Sequence, residues 1–141
     1  MAIAERPQVG LLDTNTVIYL GDLQPEDLPE EPLISAITLA ELTAGPLATD
    51  DLVERAKRQR HLQRAELDFD ALPFTSECAR QFGLVRAALA QSGRASAARS
   101  YDALIAASAL AYNLPLYTSN TRDFAGVPGL DVRPVPPPAV S

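Results

Sequence analysis

The sequence predicts one α/β domain of three layers, in which a mainly parallel sheet of roughly five strands is covered by helices on both faces. The first observation is that short apolar runs alternate with amphipathic segments, which is the order that βαβ units require. The second is composition, since 141 residues with 47% apolar and 21% charged side chains suffice for a hydrophobic core. We assign residues 1–135 to this domain and residues 136–141 to a Pro-rich tail.

The first half of the chain begins with a strand. Val9–Leu12 is an apolar run that ends at an acid, which predicts a buried strand, and Thr16–Leu20 follows as a short helix. Residues 21–32 are polar and proline-rich, which is typical of a connection. Leu33–Ala36 predicts a second strand, and Thr38–Ala44 predicts a helix that stops before a Gly-Pro pair.

Longer helices follow. Acids at positions 50 and 51 open a helix that runs to about Phe69, because carboxylates in the first turn favour the helix dipole. Ala71–Phe74 predicts a weak third strand. Thr75 or Ser76 then caps a helix that ends at Gln91.

The last third contains the most strongly predicted helix, Ala97–Asn113. Its Tyr101, Ile105 and Tyr112 recur on one face at helical spacing, which favours burial of both tyrosines. Three further elements follow and complete the pattern: a strand at Pro115–Thr118, a turn of helix at Thr121–Ala125 and a strand at Leu130–Val135.

Composition excludes several protein classes. The longest stretch of low polarity, residues 103–112, is about half of a bilayer span, so no transmembrane helix is expected. The N-terminal residues lack the positive start and apolar core of a signal peptide. The single cysteine, Cys78, excludes an internal disulfide framework and a cysteine-based zinc site. We expect a soluble protein of the cytoplasm with no membrane partner.

Charge is distributed unevenly along the chain. The net charge is −6, but residues 1–54 hold 11 acids and one base, whereas residues 55–99 hold 9 bases and 4 acids. An acidic total is unusual for a nucleic-acid-binding protein. The local distribution nevertheless predicts an acidic pocket beside a basic surface.

Acids follow successive predicted strands. Asp13 ends the first strand, Glu41 lies one turn into the helix after the second, and Asp102 lies near the start of the long apolar helix. Asn120 and Asp123 follow the fourth strand. Parallel strands end at one edge of the sheet, so these groups would meet there and repel one another unless a cation intervened. Carboxylate oxygens suit Mg²⁺ or Mn²⁺, which can activate water and stabilise the leaving oxygen of a phosphodiester.

Each acid also has a purely structural interpretation. Thr38 and Glu41 match a capping box, and Asp13 can cap the helix that follows it. Asp102 suits the start of a helix without any metal, and Asp123 lies beside Arg122. The residues alone leave a metal site and separate structural roles both open.

Four short motifs in fixed order resemble the PIN-domain ribonucleases, and in detail the VapC-type toxins of bacterial toxin–antitoxin pairs. They are LLDTNT at 11–16, ISAITLAELTAG at 34–45, DALIA at 102–106 and LYTSNTRDF at 116–124. The resemblance covers nearly the whole chain. It implies a PIN-like fold, an endoribonuclease that needs Mg²⁺ or Mn²⁺ and leaves 5′-phosphate and 3′-hydroxyl ends, an inhibitory antitoxin and a homodimer.

The resemblance also assigns residues. The family's acidic, metal-binding positions match Asp13, Glu41, Asp102 and Asp123. Its supporting polar positions match Thr14, Asn15, Thr118 and Asn120. Two departures stand out: Asn120 replaces an aspartate of many relatives, and more residues precede the first strand than in most such toxins.

One basic helix is a candidate RNA-binding surface. Lys57, Arg60 and Arg64 share a helical stripe with His61 alongside, and such a stripe can follow a phosphate backbone. The alternative is an ordinary solvated face opposite Leu52, Val53 and Leu62. Four further arginines could contact RNA or a protein partner: Arg80, Arg86, Arg94 and Arg99. His61 is disfavoured as a general base, because the sequence shows no Ser or Cys nucleophile for it to activate. Cys78 is expected to be a packed side chain.

The main functional hypothesis is therefore a metal-dependent endoribonuclease that acts as the toxin of a toxin–antitoxin system. The alternative is a non-catalytic RNA-binding module whose acids are structural. A phosphatase with Asp13 as nucleophile is disfavoured, because Asn15 stands where a second carboxylate would be needed.

Overall fold

Four parallel strands form the sheet in the computed structural model, which describes residues 7–93 and 100–138. They are β1 (Val9–Leu12), β2 (Glu31–Leu33), β3 (Leu116–Thr118) and β4 (Val132–Pro134). The spatial order is β2-β1-β3-β4, so the chain moves outward in one direction from β1 to β2 and in the other from β3 to β4. The strand order therefore reverses between β1 and β3, which is where open α/β sheets bind their ligands.

Five α-helices accompany the sheet in the described part of the chain. They are α1 (Thr14–Ile18), α2 (Ala36–Ala44), α3 (Leu52–Asp68), α4 (Ser76–Gln91) and α5 (Ser100–Ala111). Short 3₁₀ turns occupy Leu20–Asp22, Pro25–Asp27, Gly45–Ala48 and Thr121–Phe124. Residues 97–99 of the predicted long helix, and 139–141 of the predicted tail, lie outside the described residues.

Two separate cores cover the two faces of the sheet. Because successive side chains of a strand point to opposite faces, Leu11 packs into one core and Leu12 into the other. The core around Leu11 contains the buried faces of α4 and α5, including Val85 and Ile105. The core around Leu12 includes Leu62 from α3. The predicted three-layer α/β/α architecture is therefore confirmed.

The starts of α3 and α4 agree with the prediction because capping residues decide them, whereas α1 and α2 each begin two residues earlier than predicted. Asp51 caps α3 by accepting hydrogen bonds from the backbone N–H groups of Val53 (2.9 Å) and Glu54 (3.0 Å). Of the two candidates for α4, Thr75 is the cap, and it accepts a hydrogen bond from the backbone N–H of Cys78.

Two strand predictions were wrong in detail. Ala71–Phe74 forms a single parallel bridge, between Leu72 and Ser35, because the partner segment leaves the sheet and begins α2 at Ala36. The second strand was predicted at Leu33–Ala36 but lies at Glu31–Leu33. It ends there because Ser35 caps α2, accepting a hydrogen bond from the backbone N–H of Thr38.

Some side-chain environments also differ from expectation. Tyr101 is 43% exposed, so its predicted burial was wrong, whereas Tyr112 is half-buried and its hydroxyl donates to the carbonyl of Pro73. Cys78 is fully buried, as predicted.

Among residues 7–93 and 100–138, no helix is long and apolar enough to cross a membrane.

We expect Gly10→Ala to destabilise the protein by about 1–3 kcal/mol, because a Cβ on this β1 residue would collide with the Tyr117 ring. The matched control is Gly83→Ala in α4, where an added Cβ meets no atom within 4 Å. The control should stabilise the helix by roughly 0.5–1 kcal/mol. Urea unfolding followed by circular dichroism measures both, and equal effects would contradict the packing argument.

Candidate active site

Asp13 is the central side chain of the candidate site. It follows β1 directly, at the point where the strand order reverses, and is only 5% exposed. Its Oδ1 accepts hydrogen bonds from the backbone N–H of Thr16 (3.0 Å) and from the Thr16 hydroxyl (2.5 Å). Its Oδ2 accepts one from the Thr118 hydroxyl (2.5 Å). Asp13 thus caps α1, as the structural interpretation proposed, and ties the ends of β1 and β3 together.

Glu41 approaches the same edge from α2. Its Oε1 accepts a hydrogen bond from the Thr14 hydroxyl at 2.7 Å. The same hydroxyl oxygen lies 3.1 Å from that of Thr38. A hydroxyl has one proton, so Thr14, which donates to the carboxylate, can accept from Thr38. The capping-box interpretation of Glu41 is wrong, because Ser35 caps α2 and Glu41 instead contacts a residue that follows another strand.

The two carboxylates influence each other. Burial raises the pKa of the Glu41 carboxyl above its usual 4.5, and the nearby negative charge of Asp13 raises it further. The hydrogen bond from Thr14 opposes this by lowering the Glu41 pKa. The site therefore holds two neighbouring carboxylates, at least one of which is easier to ionise if a cation is added.

Thr118 connects Asp13 to a second pair of polar side chains, Asn120 and Asp123. Its hydroxyl oxygen accepts from the backbone N–H of Asn120 at 3.0 Å. The side-chain nitrogen of Asn120 donates to Oδ2 of Asp123 at 2.5 Å, which holds this carboxylate beside the end of β3. The residue that departs from the family pattern, Asn120, is thus an orienting partner of Asp123.

Asp102 lies in the first turn of α5 and is half-buried. The helix packs against α2, which carries Glu41. The structure therefore links Asp123 to Asp13 through Asn120 and Thr118. It places Glu41 close enough to Asp13 for that charge to raise the Glu41 pKa, and it carries Asp102 on a helix that packs against α2.

Oxygen donors of this kind fit a divalent cation that retains several waters. Among the described residues, no three Asp, Glu, His or Cys side chains form a ready-made metal cage. Mg²⁺ typically uses only one or two carboxylates together with substrate phosphates and water. The pair of Asp13 and Glu41, with its mutual repulsion, matches that requirement.

A cavity of about 470 Å³ opens beside Glu41. Thr14, Asn15 and Tyr19 line it from α1 and its end, and Lys57 and His61 line it from α3. Sequence reasoning assigned Asn15 a supporting role but missed Tyr19. The available signal was spacing, since residues four apart share a helix face.

The predicted basic stripe is present on α3. Lys57, Arg60 and Arg64 are exposed and form no ion pair among the described residues, whereas Arg58 is bonded to Glu54 at 3.1 Å. Burial lowers the pKa of His61, and the positive charges of the three stripe residues lower it further. The supposed opposite apolar face is only partly correct, because Leu62 is buried while Leu52 and Val53 are 76% and 81% exposed.

The other predicted basic contacts are mixed. Arg80 forms an ion pair with Glu77 at 2.9 Å. Arg86 has a buried Nη1 with no hydrogen-bond partner among the residues described. Arg94 and Arg99 lie outside the described residues.

Comparison with known proteins places these features in a family. The PIN domain family model matches residues 10–130. The chain is 35% identical over 126 residues to "Ribonuclease VapC5" of Mycobacterium tuberculosis, an alignment that covers 87% of this chain and 90% of that protein. It is 32% identical over 132 residues to "tRNA(fMet)-specific endonuclease VapC" of Salmonella typhimurium, with coverage of 86% and 94%.

Solved structures agree. The fold matches the crystal structure of VapBC-5 from Mycobacterium tuberculosis, a member of the VapBC family of toxin–antitoxin systems, with a TM-score of 0.74 and 35% identity. The match covers 89% of this chain and 96% of that one.

The raised pKa of Glu41 has a measurable consequence for stability. The folded protein retains a proton that the unfolded chain releases, so the free energy of unfolding should fall as pH rises from about 4.5 through the folded-state pKa. In metal-free protein, we expect Glu41→Gln to remove the part of this pH-dependent fall in the free energy of unfolding that Glu41 causes. Urea titrations across this pH range measure it, with Glu66→Gln, an exposed acid on α3, as the control. Identical pH profiles for Glu41→Gln and wild type would contradict the electrostatic account.

Proposed function

The chain belongs to the PIN-domain family, and we propose from this premise that it is a metal-dependent endoribonuclease, the toxin of a toxin–antitoxin pair acting in the cytoplasm. The observation that carries the proposal is the pair of neighbouring carboxylates, Asp13 and Glu41, at the reversal of strand order. The names of its relatives support the reaction class, because they are a ribonuclease and a tRNA-specific endonuclease.

Four acids would hold Mg²⁺ or Mn²⁺: Asp13, Glu41, Asp102 and Asp123. When bound, such an ion supplies Lewis-acid stabilisation of the charge that develops on a phosphodiester and lowers the pKa of water. The chain's own hydroxyls and amide set the geometry. Thr14 fixes Glu41, Thr16 and Thr118 fix Asp13, and Asn120 fixes Asp123.

Orientation by these neighbours has a chemical purpose. A carboxylate that is held by hydrogen bonds loses little freedom when it binds a cation, so less of the binding energy is spent on ordering it. Asn15 adds an exposed polar group at the opening of the cavity, where it can orient the substrate or the attacking water.

RNA would be held along α3. The stripe of Lys57, Arg60 and Arg64 is exposed, carries no internal ion pairs among the described residues, and begins in the cavity wall that also contains Glu41. Its position would place a phosphate backbone within reach of the acidic site.

Protein partners complete the proposal. Because a related structure is a toxin–antitoxin complex, we infer that a cognate antitoxin inhibits this chain. We also propose a homodimer formed by the first half of the chain, where Leu47, Leu52 and Val53 are at least 76% exposed.

A non-catalytic RNA-binding module is the second candidate. It is favoured by the hydrogen bonds that already occupy both oxygens of Asp13. The two candidates differ in the response to Mn²⁺, since an ion that binds only the folded state must raise its melting temperature.

Purified protein should cleave total cellular RNA into discrete fragments with Mg²⁺ or Mn²⁺ and not with EDTA. We expect Asp102→Asn to keep the melting temperature of the metal-free protein and to reduce the cleavage rate on the order of a hundredfold or more, because it removes a ligand of the proposed ion. Asp68→Asn, at the exposed end of α3, is the control for loss of one carboxylate. Mapping of the fragment ends identifies the target.

Full activity of Asp102→Asn would contradict its assignment. Absence of cleavage together with absence of a Mn²⁺-dependent rise in melting temperature would favour the RNA-binding module.

The basic stripe predicts a defined dependence on salt. Each phosphate contact on single-stranded RNA contributes about 0.7 to the slope of log K against log salt concentration. Replacement of Lys57, Arg60 and Arg64 by alanine should therefore reduce the slope by about 2. Fluorescence anisotropy in EDTA measures binding without cleavage. Arg80→Ala, on α4, should leave the slope unchanged, and equal slopes for the triple variant and wild type would refute the stripe as an RNA contact.

A further inference from the structure

We propose that the cavity between α1 and α3 binds one unpaired nucleotide of the RNA, with the Tyr19 ring stacking on its base. The inference rests on the proposed function and deepens it, because it places a base-binding contact beside the acidic site. It also assigns a role to Tyr19, which lies outside the acidic site.

The cavity has the right size and position for this role. Its volume of about 470 Å³ lies within the usual range for small-molecule sites. Glu41 and Asn15 form part of its wall, so the cavity and the acidic site share a boundary. A nucleotide bound in the cavity would therefore lie next to the phosphodiester held at the acids.

Tyr19 presents its ring from a fixed backbone. Its N–H donates to the carbonyl of Asn15 (3.1 Å), and its carbonyl accepts from the N–H of Asp22 (2.8 Å). The residue is nevertheless 45% exposed in the cavity wall. An aromatic side chain has only two rotatable bonds, so a tyrosine on a fixed backbone that remains open to solvent can stack on a base with little loss of freedom.

The charges of the cavity favour an anionic, base-bearing ligand on the α3 side. Glu54 and Arg58 neutralise each other through a 3.1 Å ion pair, and Arg58 also donates to the carbonyl of Gly45 at 3.0 Å. Lys57 remains as an unpaired cation of the wall, among the residues described. The lining also includes the acid Asp22 in the turn after α1, so the positive part of the wall is confined to α3 at Lys57, where a phosphate would leave the cavity.

The basic stripe continues from this point around Tyr19. Lys57 and Arg64 are separated by about 10 Å along the helix axis. Arg64 reaches the turn that follows Tyr19, because a Cβ placed on Gly21 would lie 3.6 Å from its Nη1. Phosphates on the stripe would therefore flank a base in the cavity. A base inside a duplex is stacked on both faces and could not enter, so the geometry selects unpaired RNA.

The test measures binding of two labelled RNA probes in EDTA by fluorescence anisotropy. One is an oligoadenylate of about eight nucleotides, and the other is an abasic oligonucleotide of the same length and charge. Tyr19→Phe keeps the ring, whereas Tyr19→Leu keeps apolar bulk without it. We expect Tyr19→Phe to bind oligoadenylate like wild type and Tyr19→Leu to bind it about tenfold more weakly.

The abasic probe separates stacking from packing. Wild type and Tyr19→Leu should bind it equally, because it offers no base. Lys57→Ala should weaken binding of both probes, because its contact is with phosphate. Circular dichroism melting of each variant checks that the fold is retained.

Two results would overturn the proposal. Equal binding of oligoadenylate by wild type and Tyr19→Leu would show that no base stacks on Tyr19, leaving the cavity to another occupant such as a protein segment. An equal loss with both probes would assign Tyr19 a structural role.

The binding test does not depend on cleavage, so the two proposals can fail separately. RNA binding that depends on Tyr19 without metal-dependent cleavage would reject the endoribonuclease and retain the nucleotide site. Metal-dependent cleavage, together with no effect of Tyr19→Leu on binding, would retain the endoribonuclease and reject the nucleotide site.

Discussion

The hydrogen bonds that hold the carboxylates of Asp13 and Glu41 are the interactions around which the site is built. Each carboxylate is removed from water, and each is compensated by hydroxyl groups that belong to other elements. Thr118 brings β3 to Asp13, and Thr14 joins the end of β1 to α2. The same contacts that hold the acids therefore fix the order of strands and helices at this edge.

The sequence predicted best what neighbouring residues decide. An uninterrupted apolar run placed β1 correctly, and caps such as Asp51 placed the starts of α3 and α4. It failed where an adjacent element cuts a pattern short, as the start of α2 at Ala36 does for the expected third strand. The acids were found because parallel strands end at one edge, but the contact between Glu41 and Thr14 spans 27 residues and leaves no local signal.

The nucleotide cavity escaped prediction for a related reason. Its walls come from α1, α2 and α3, and the part from α3 is brought there because α3 packs over the core around Leu12. The uneven distribution of charge did foreshadow its character. Residues 1–54 contribute the acid Glu41 to the cavity, and residues 55–99 contribute Lys57 and His61.

This arrangement gives the surface an electric polarity. Lys57 lies in the cavity wall formed by α3 and Glu41 lies in the wall formed by α2, so a polyanion that diffuses towards the cavity would experience a torque as well as an attraction. The encounter would be biased before any contact forms, and a bound strand would arrive already aligned along the helix. A protein with an acidic total can thus recruit nucleic acid through the gradient of its field rather than through its net charge.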